Sequence, residues 1–159
     1  MLVMRELEKT DRITFDEQKD LVFSSAKAIH TALCSLSPFS NGRLEFAVSV
    51  AKKDIPKIAS RSIGKGNKRL KDISHGYTFL AKNNLETPLY RPPEERHGTI
   101  VVDDLVIGVH SSKEEMDLPI AIGIAYRTGL KNYQEAENFA RELQCIGMYA
   151  QYEAALTGL

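Results

Sequence analysis

Two short apolar segments near residue 100 restrict the fold of this chain more than any other feature. Thr99–Val102 and Leu105–His110 are almost entirely apolar, and only Asp103 and Asp104 separate them. Two intervening residues allow a tight turn between antiparallel strands but no crossover between parallel ones. Because both segments are nearly all apolar, we predict that they are central strands of an antiparallel sheet. Gly108 has no side chain, which predicts the close approach of another backbone or of a ligand.

A second hairpin is predicted earlier in the chain. From Leu44 to Val50 apolar side chains alternate with other residues, which predicts a strand with one covered face. We predict that Ile55–Arg61 forms a strand that returns beside it. Because Pro56 cannot donate a hydrogen bond to a ladder, this second strand belongs at a sheet edge or starts after the proline.

Apolar residues recur at steps of three and four in the other segments, which predicts helices. Four helices are expected: Thr14 to Leu36, capped by Thr14; Leu70 to near Asn83-Asn84; Asp117, as N-cap, to Gly129; and Asn132 to the C-terminus. Hairpins interleaved with helices favour an α+β fold over a doubly wound parallel sheet. The expected architecture is an antiparallel sheet built from two hairpins and covered by helices, with an extra C-terminal helix.

The length of the chain fits a single domain. Its 159 residues can bury a substantial core, and no linker or repeat divides them. We predict one domain over residues 1–159, with residues 1–12 flexible and residues 132–159 as the C-terminal helix.

The sequence also indicates a compartment. The N-terminus has no secretory signal, and the apolar run Leu118–Tyr126 is far shorter than the roughly 20 residues that a membrane-spanning helix needs. We therefore expect a cytoplasmic protein that does not enter a membrane. Cys34 and Cys145 are predicted to be buried thiols, and the alternative is a disulfide between them.

Charge is balanced over the whole chain but uneven along it. The sequence has 21 basic and 21 acidic residues, yet Lys52–Lys71 holds eight basic residues and a single acidic one, Asp54. Two interpretations remain: a surface for a small anionic ligand, or a solvated edge whose lysines oppose aggregation. Because no aromatic side chains are interleaved for base stacking, we do not expect nucleic acid as a partner.

Motifs for common catalytic chemistry are missing from the sequence. There is no Gly-x-Ser-x-Gly elbow, no P-loop, no His-Glu-x-x-His and no close Cys/His cluster. We therefore assign no catalytic residue and predict no metal site.

The best candidate binding site is the end of the last predicted strand. There His110 follows Gly108 closely, and a ligand can approach where a side chain is missing. His75 and Tyr77 are expected on the same rim, and the basic segment supplies groups for an anion. The predicted ligand-binding or cofactor-binding residues are His110, Gly108, His75, Tyr77, Arg61, Lys65 and Lys68. Each of them taken singly also fits an ordinary surface residue.

Three segments together resemble one known family. They are the strand Ala47-Val48-Ser49-Val50, the hairpin from His97-Gly98 to Val109, and the acidic helix start Glu115–Ala121. They resemble the GlcG/HbpS-like family of heme-degrading or heme-binding domains, and the order of elements is similar from Ile13 to about Leu130. The resemblance implies a profilin-like fold and heme as one candidate cofactor, whereas the residues alone identify no cofactor.

We therefore expect a small-molecule-binding or cofactor-binding domain that uses the strand end at His110. The alternative is a non-enzymatic module that forms homo-oligomers, in which the C-terminal helix packs on a second subunit through Tyr149 and Tyr152. An enzyme of unfamiliar type that uses the same pocket is the third hypothesis.

Overall fold

The fold of the chain combines one antiparallel sheet with helices on both of its faces. A computed structural model describes residues 14–35, 44–83 and 98–157. The helices are α1 (Phe15–Cys34), α2 (Lys68–Asn83), α3 (Asp117–Arg127), α4 (Tyr133–Glu142) and α5 (Ile146–Thr157). The strands are β1 (Phe46–Lys52), β2 (Ala59–Ile63), β3 (Thr99–Val102) and β4 (Leu105–Ser111), and a 3₁₀ turn (Glu114–Met116) leads into α3. The predicted α+β class and the order of elements as far as α3 are confirmed, whereas the predicted flexible residues 1–12 lie outside the described residues.

The sheet has the strand order β2-β1-β4-β3, and each neighbouring pair is antiparallel. Asp103 adopts a φ of 57° in the predicted turn between β3 and β4. Both segments were predicted to be central strands, and this is correct only for β4. β3 is an edge strand, because β4 is the one strand that pairs with it in this sheet. Pro56 has the expected effect, since β2 starts at Ala59, after the proline, and is the other edge strand.

Alternation of side chains gives the two faces of the sheet different partners. Phe46, Val48 and Val50 of β1 belong to the main hydrophobic core, on the face that α1 and α3 cover. Ser49 and Gly108, which are paired across β1 and β4, point to the other face, where α2 packs on all four strands. The small residues on this second face let α2 lie close to the sheet.

Helix α3 starts in a way that the sequence did not predict. Met116, not Asp117, is the N-cap, and Asp117 is the first helical residue. The Asp117 side chain accepts hydrogen bonds from Ser111, at the end of β4. The helix ends as predicted before Gly129, whose φ is +81°.

The predicted C-terminal helix is divided into α4 and α5. Asn132 and Glu135 form the expected capping box of α4, but Gln144 takes a left-handed φ of 60° and ends the helical run. The break lets α5 fold back onto α3, where Tyr149 and Tyr152 are buried in the core of the same chain. The two tyrosines are therefore not available for the second subunit that the sequence suggested for them.

Two further predictions concern membranes and thiols. Among the described residues, no helix has the length and apolar character needed to span a membrane. Cys34 and Cys145 are half-buried rather than fully buried as predicted, and no disulfide joins them, so that alternative is wrong.

Candidate functional site

A cleft of about 620 Å³ lies between α2, the end of β4 and the start of the 3₁₀ turn. Its lining residues are Arg69, Ile73, Gly76, Tyr77, Phe79, Leu80, His110 and Glu114. Most of them come from α2, where Leu70, Ser74 and Thr78 face the sheet and are buried. The cleft residues recur beside that buried stripe at the helical spacing of three and four. The cleft is therefore mainly apolar, with a few polar side chains gathered in it.

A buried cluster of polar side chains forms the wall of the cleft at His110. The Nδ1 atom of His110 lies 3.2 Å from Asp117 Oδ2, an ion-pair distance without the alignment of a hydrogen bond. The other carboxylate oxygen of Asp117 accepts from the Ser111 backbone N–H at 2.8 Å and from the Ser111 hydroxyl at 2.5 Å. His110 is 8% exposed and Asp117 is 2% exposed. The buried carboxyl group of Asp117 thus lies directly beside the imidazole that lines the cleft.

Burial changes the acidity of Asp117. Desolvation raises the pKa of its carboxyl to about 8, against the lowering effect of the two hydrogen bonds from Ser111. The negative charges of Glu114 and Glu115 add to the increase in the pKa. The raised pKa favours the protonated form of the Asp117 carboxyl group, which lies next to the imidazole of His110.

The predicted site residues are divided among several places. Tyr77 and His110 line the cleft together. Gly108 does not: α2 covers it, and a Cβ there would collide with the hydroxyl of Thr78. The backbone approach expected at Gly108 is thus that of a helix, and no ligand reaches this glycine. Arg61 lies on the opposite face of the sheet, with its guanidinium 4.8 Å above the ring of Phe23.

The other basic residues also lie outside the cleft lining. Lys65 is an exposed residue of the connection between β2 and α2, and Lys68 is the exposed first residue of α2. Arg69, which the sequence prediction did not single out, supplies the cation of the cleft. The spacing of Arg69, Ile73 and Tyr77 at intervals of four residues was the signal that could have identified it.

His75 lies on the other side of α2 from the cleft, at the end of a chain of hydroxyl groups. Ser74 Oγ donates to the carbonyl oxygen of Gly108 at 2.9 Å, and it lies 2.9 Å from Ser49 Oγ. Ser49 Oγ is 2.6 Å from Ser60 Oγ, which in turn is 2.9 Å from His75 Nδ1. This series of hydroxyl groups runs from the centre of the sheet to the exposed imidazole of His75.

The number of available protons fixes the donor and the acceptor at each contact of this series of hydroxyl groups. A serine hydroxyl has one proton to donate. Since Ser74 uses its proton on a carbonyl oxygen, Ser49 must donate to Ser74, and Ser60 must donate to Ser49. The last contact then needs a proton from the ring, so His75 carries its proton on Nδ1. The opposite arrangement, with Ser60 donating to His75 as a base, would leave two serine oxygens facing each other without a proton.

The direction of the hydroxyl chain can be tested by NMR. We expect the ring ¹⁵N shifts of neutral His75 to show the Nδ1–H tautomer. In the Ser60→Ala variant the ring loses its acceptor and should change to a mixture that is rich in Nε2–H. His30, which approaches the Leu44 carbonyl oxygen through Nε2 at 2.8 Å, serves as an unchanged internal control. An Nε2–H form of His75 in the unmodified protein would contradict the assignment.

The described residues give no indication of a metal centre. No group of three or more His, Cys, Asp or Glu side chains in residues 14–35, 44–83 and 98–157 is placed to hold a metal ion. The polar groups that line the cleft are one imidazole, one guanidinium, one phenol and one exposed carboxylate.

No protein-family model, no curated protein and no solved structure matched this chain.

Proposed function

We propose that this protein binds a small organic anion with a flat apolar body in the cleft between α2 and the end of β4. The observation that carries the proposal is the combination, in one open cavity of about 620 Å³, of an apolar lining with Arg69 and His110. Ligand sites are typically cavities of this size with a few convergent polar groups.

The apolar part of the cleft supports a flat ligand body. Tyr77 and Phe79 offer aromatic rings, and Ile73 and Leu80 offer aliphatic surface. Phe79 is 51% exposed and Leu80 is 43% exposed, which is unusual for large apolar side chains on neighbouring positions of one helix. A bound ligand would remove both from water, and this burial favours binding by the hydrophobic effect.

The polar part of the cleft supports an anionic group on the ligand. Among the lining residues that the structure describes, Arg69 alone carries a permanent positive charge. Its guanidinium can bind a carboxylate, sulfonate or phosphate through two parallel hydrogen bonds. Glu114, on the same cleft, disfavours a second anionic group next to it.

Two dyes that share one ring system test this proposal. We expect the anionic dye 1-anilinonaphthalene-8-sulfonate to bind about tenfold more tightly than the neutral N-phenyl-1-naphthylamine, since a charge-assisted hydrogen bond contributes about 1.5 kcal/mol or more. Arg69→Gln should abolish this difference without weakening the binding of the neutral dye. Fluorescence titration measures both dissociation constants.

Lys68→Gln is the matched control, because it removes the neighbouring positive charge outside the cleft lining. It should change the affinity for the anionic dye by no more than about twofold, as expected for a screened surface charge. If neither dye binds the folded protein, or if Arg69→Gln and Lys68→Gln have equal effects, the proposed site is wrong.

Heme has the flat apolar body and the carboxylate of the proposed ligand class, and its second carboxylate would have to lie away from Glu114. Imidazole and phenolate groups are both established axial ligands of heme iron, and the cleft has His110 and Tyr77. Arg69 would then hold a propionate. A Soret band that shifts and sharpens relative to free heme on addition of the protein, and does so in neither His110→Ala nor Tyr77→Phe, would support heme as the ligand. A shift that is unaffected by both substitutions would exclude this cleft.

The second candidate function is assembly with another copy of this chain. Tyr126 and Tyr133 form an edge-to-face pair on the surface and are 45% and 49% exposed, in place of the buried tyrosines that the sequence suggested. If they form a contact between copies, light scattering should give a multiple of the monomer mass, and Tyr126→Ser with Tyr133→Ser should reduce it to the monomer mass. A monomeric unmodified protein would contradict this candidate function.

A further inference from the structure

The pair of His110 and Asp117 suggests how the cleft distinguishes an anion from a neutral ligand. The proposed function uses His110 as a lining residue but leaves Asp117 without a part in binding. Asp117 does not line the cleft; it lies behind His110, with Oδ2 3.2 Å from the imidazole Nδ1. Because Asp117 lies there, the net charge of the cleft wall depends on the total number of protons on the imidazole and the carboxyl group.

We propose that an anion binds in the cleft only while the His110–Asp117 pair holds a proton, so that binding takes up a proton from solution wherever the empty pair has lost it. This inference rests on the proposed function, because it concerns the same cleft. The proton belongs to the pair, whether it resides on the imidazole or on the carboxyl group.

The charge of the pair explains the coupling. With one proton, the pair is neutral as a whole, either as two neutral groups or as imidazolium and carboxylate. Without that proton the wall carries one buried negative charge, which would repel an anion through a medium of low dielectric constant. A ligand that binds the protonated state better must shift the equilibrium toward that state, by thermodynamic linkage.

The surroundings of the pair favour retention of the proton near neutral pH. The negative charges of Glu114 and Glu115 in the 3₁₀ turn favour retention, whereas Arg69 of α2, the cation of the cleft that Tyr77 also lines, acts in the opposite direction. Gly98, which packs on Asp117 from the start of β3, carries no charge. Because burial raises the pKa of the Asp117 carboxyl to about 8, the loss of the proton falls within the accessible alkaline range.

The pH dependence of dye binding tests the coupling. The affinity for 1-anilinonaphthalene-8-sulfonate, whose sulfonate stays ionised, should fall by up to about tenfold per pH unit between pH 8 and 9.5, the limiting slope for one linked proton. The affinity for the neutral N-phenyl-1-naphthylamine should stay constant. Asp117→Asn, which retains the oxygen that accepts from Ser111, should bind the anionic dye equally well at both ends of this range.

Glu114→Gln is the matched control, since it removes a carboxylate that lines the cleft but is not paired with His110. It should strengthen binding of the anionic dye near neutral pH and move the start of the fall in affinity to lower pH, because Glu114 adds to the pKa of Asp117, but it should leave the limiting slope unchanged. Calorimetry of the unmodified protein at pH 8.5, in two buffers with different heats of ionisation, gives the protons taken up and does not depend on any variant folding. We expect roughly three quarters of a proton per bound dye, because half a pH unit above a pKa of about 8 roughly that fraction of the empty pairs has lost its proton.

The outcomes separate the two proposals. Failure of the anionic dye to bind at any pH contradicts the proposed function. Binding with a flat pH profile and no proton uptake leaves the proposed function standing and overturns the coupling. A slope that persists in Asp117→Asn also overturns it, because the proton would then belong to another group.

Discussion

Replacing Gly98 with alanine is expected to destabilise the protein by about 3 kcal/mol or more, the sum of left-handed backbone strain and steric overpacking. Gly98 has a φ of +73°, a conformation that disfavours any side chain. A Cβ at this position would also collide with the carbonyl oxygen of Val109 and would lie 2.5 Å from the Cβ of Asp117. Because backbone atoms of β4 and α3 are involved, no side-chain rotation relieves the contact. Urea or thermal unfolding would measure the loss.

Gly129→Ala is the matched control for Gly98→Ala. Gly129 has a similar φ of +81°, but no heavy atom lies within 4 Å of the position that a Cβ would take. It should cost only about 1 to 2 kcal/mol, the strain of a left-handed conformation. Equal losses in the two variants would show that the contact of Gly98 with Asp117 is not tight, and the placement of Asp117 behind His110 would lose one of its supports.

Replacing Gly108 with alanine is expected to cost about 2 to 3 kcal/mol, because it overpacks the interface between α2 and the sheet. The new Cβ would occupy the space of the Thr78 hydroxyl, and the carbonyl oxygen of Ser74 would lie 3.3 Å away. We expect α2 to shift away from β4. Since α2 carries most of the cleft lining, dye binding should weaken together with the stability.

Thr78→Ala should largely rescue Gly108→Ala. Within the described part of the chain, the buried Thr78 hydroxyl has no hydrogen-bond partner, so its removal alone should cost less than about 1 kcal/mol of net hydrogen bonding. In the double variant the nearest remaining atoms are at ordinary or slightly tight distances. A double-mutant cycle should give a favourable coupling energy of about 1 to 2 kcal/mol. Additive effects of the two substitutions would contradict the close contact.

The predictions from sequence succeeded where a short pattern has only one physical solution. Two apolar segments with two residues between them must form a hairpin, and Pro56 must stand outside a paired ladder. The helices predicted from apolar residues at steps of three and four were correct for the same reason. The C-terminal stripe failed because one left-handed residue, Gln144, redirects the chain without disturbing the spacing of apolar residues on either side.

The candidate site was predictable only in part. Tyr77 and His110 do line one cleft, but Arg61 stacks on Phe23 across the sheet, and His75 contacts Ser60. Alternation within one strand places adjacent residues on opposite faces, and a helix spreads neighbouring residues around its axis. Proximity in a basic segment of sequence therefore does not bring charges together in space.

The sequence by itself determined the α+β class, the two hairpins and most helices, because hydrophobic periodicity and turn chemistry act between residues a few positions apart. Only the tertiary structure decided that Asp117 lies behind His110, that Arg69 is the cation of the cleft and that α2 fills the space above Gly108. These relations depend on the order of strands and on the direction in which each helix crosses the sheet. Both result from packing the whole core at once, a balance that no local pattern of residues records.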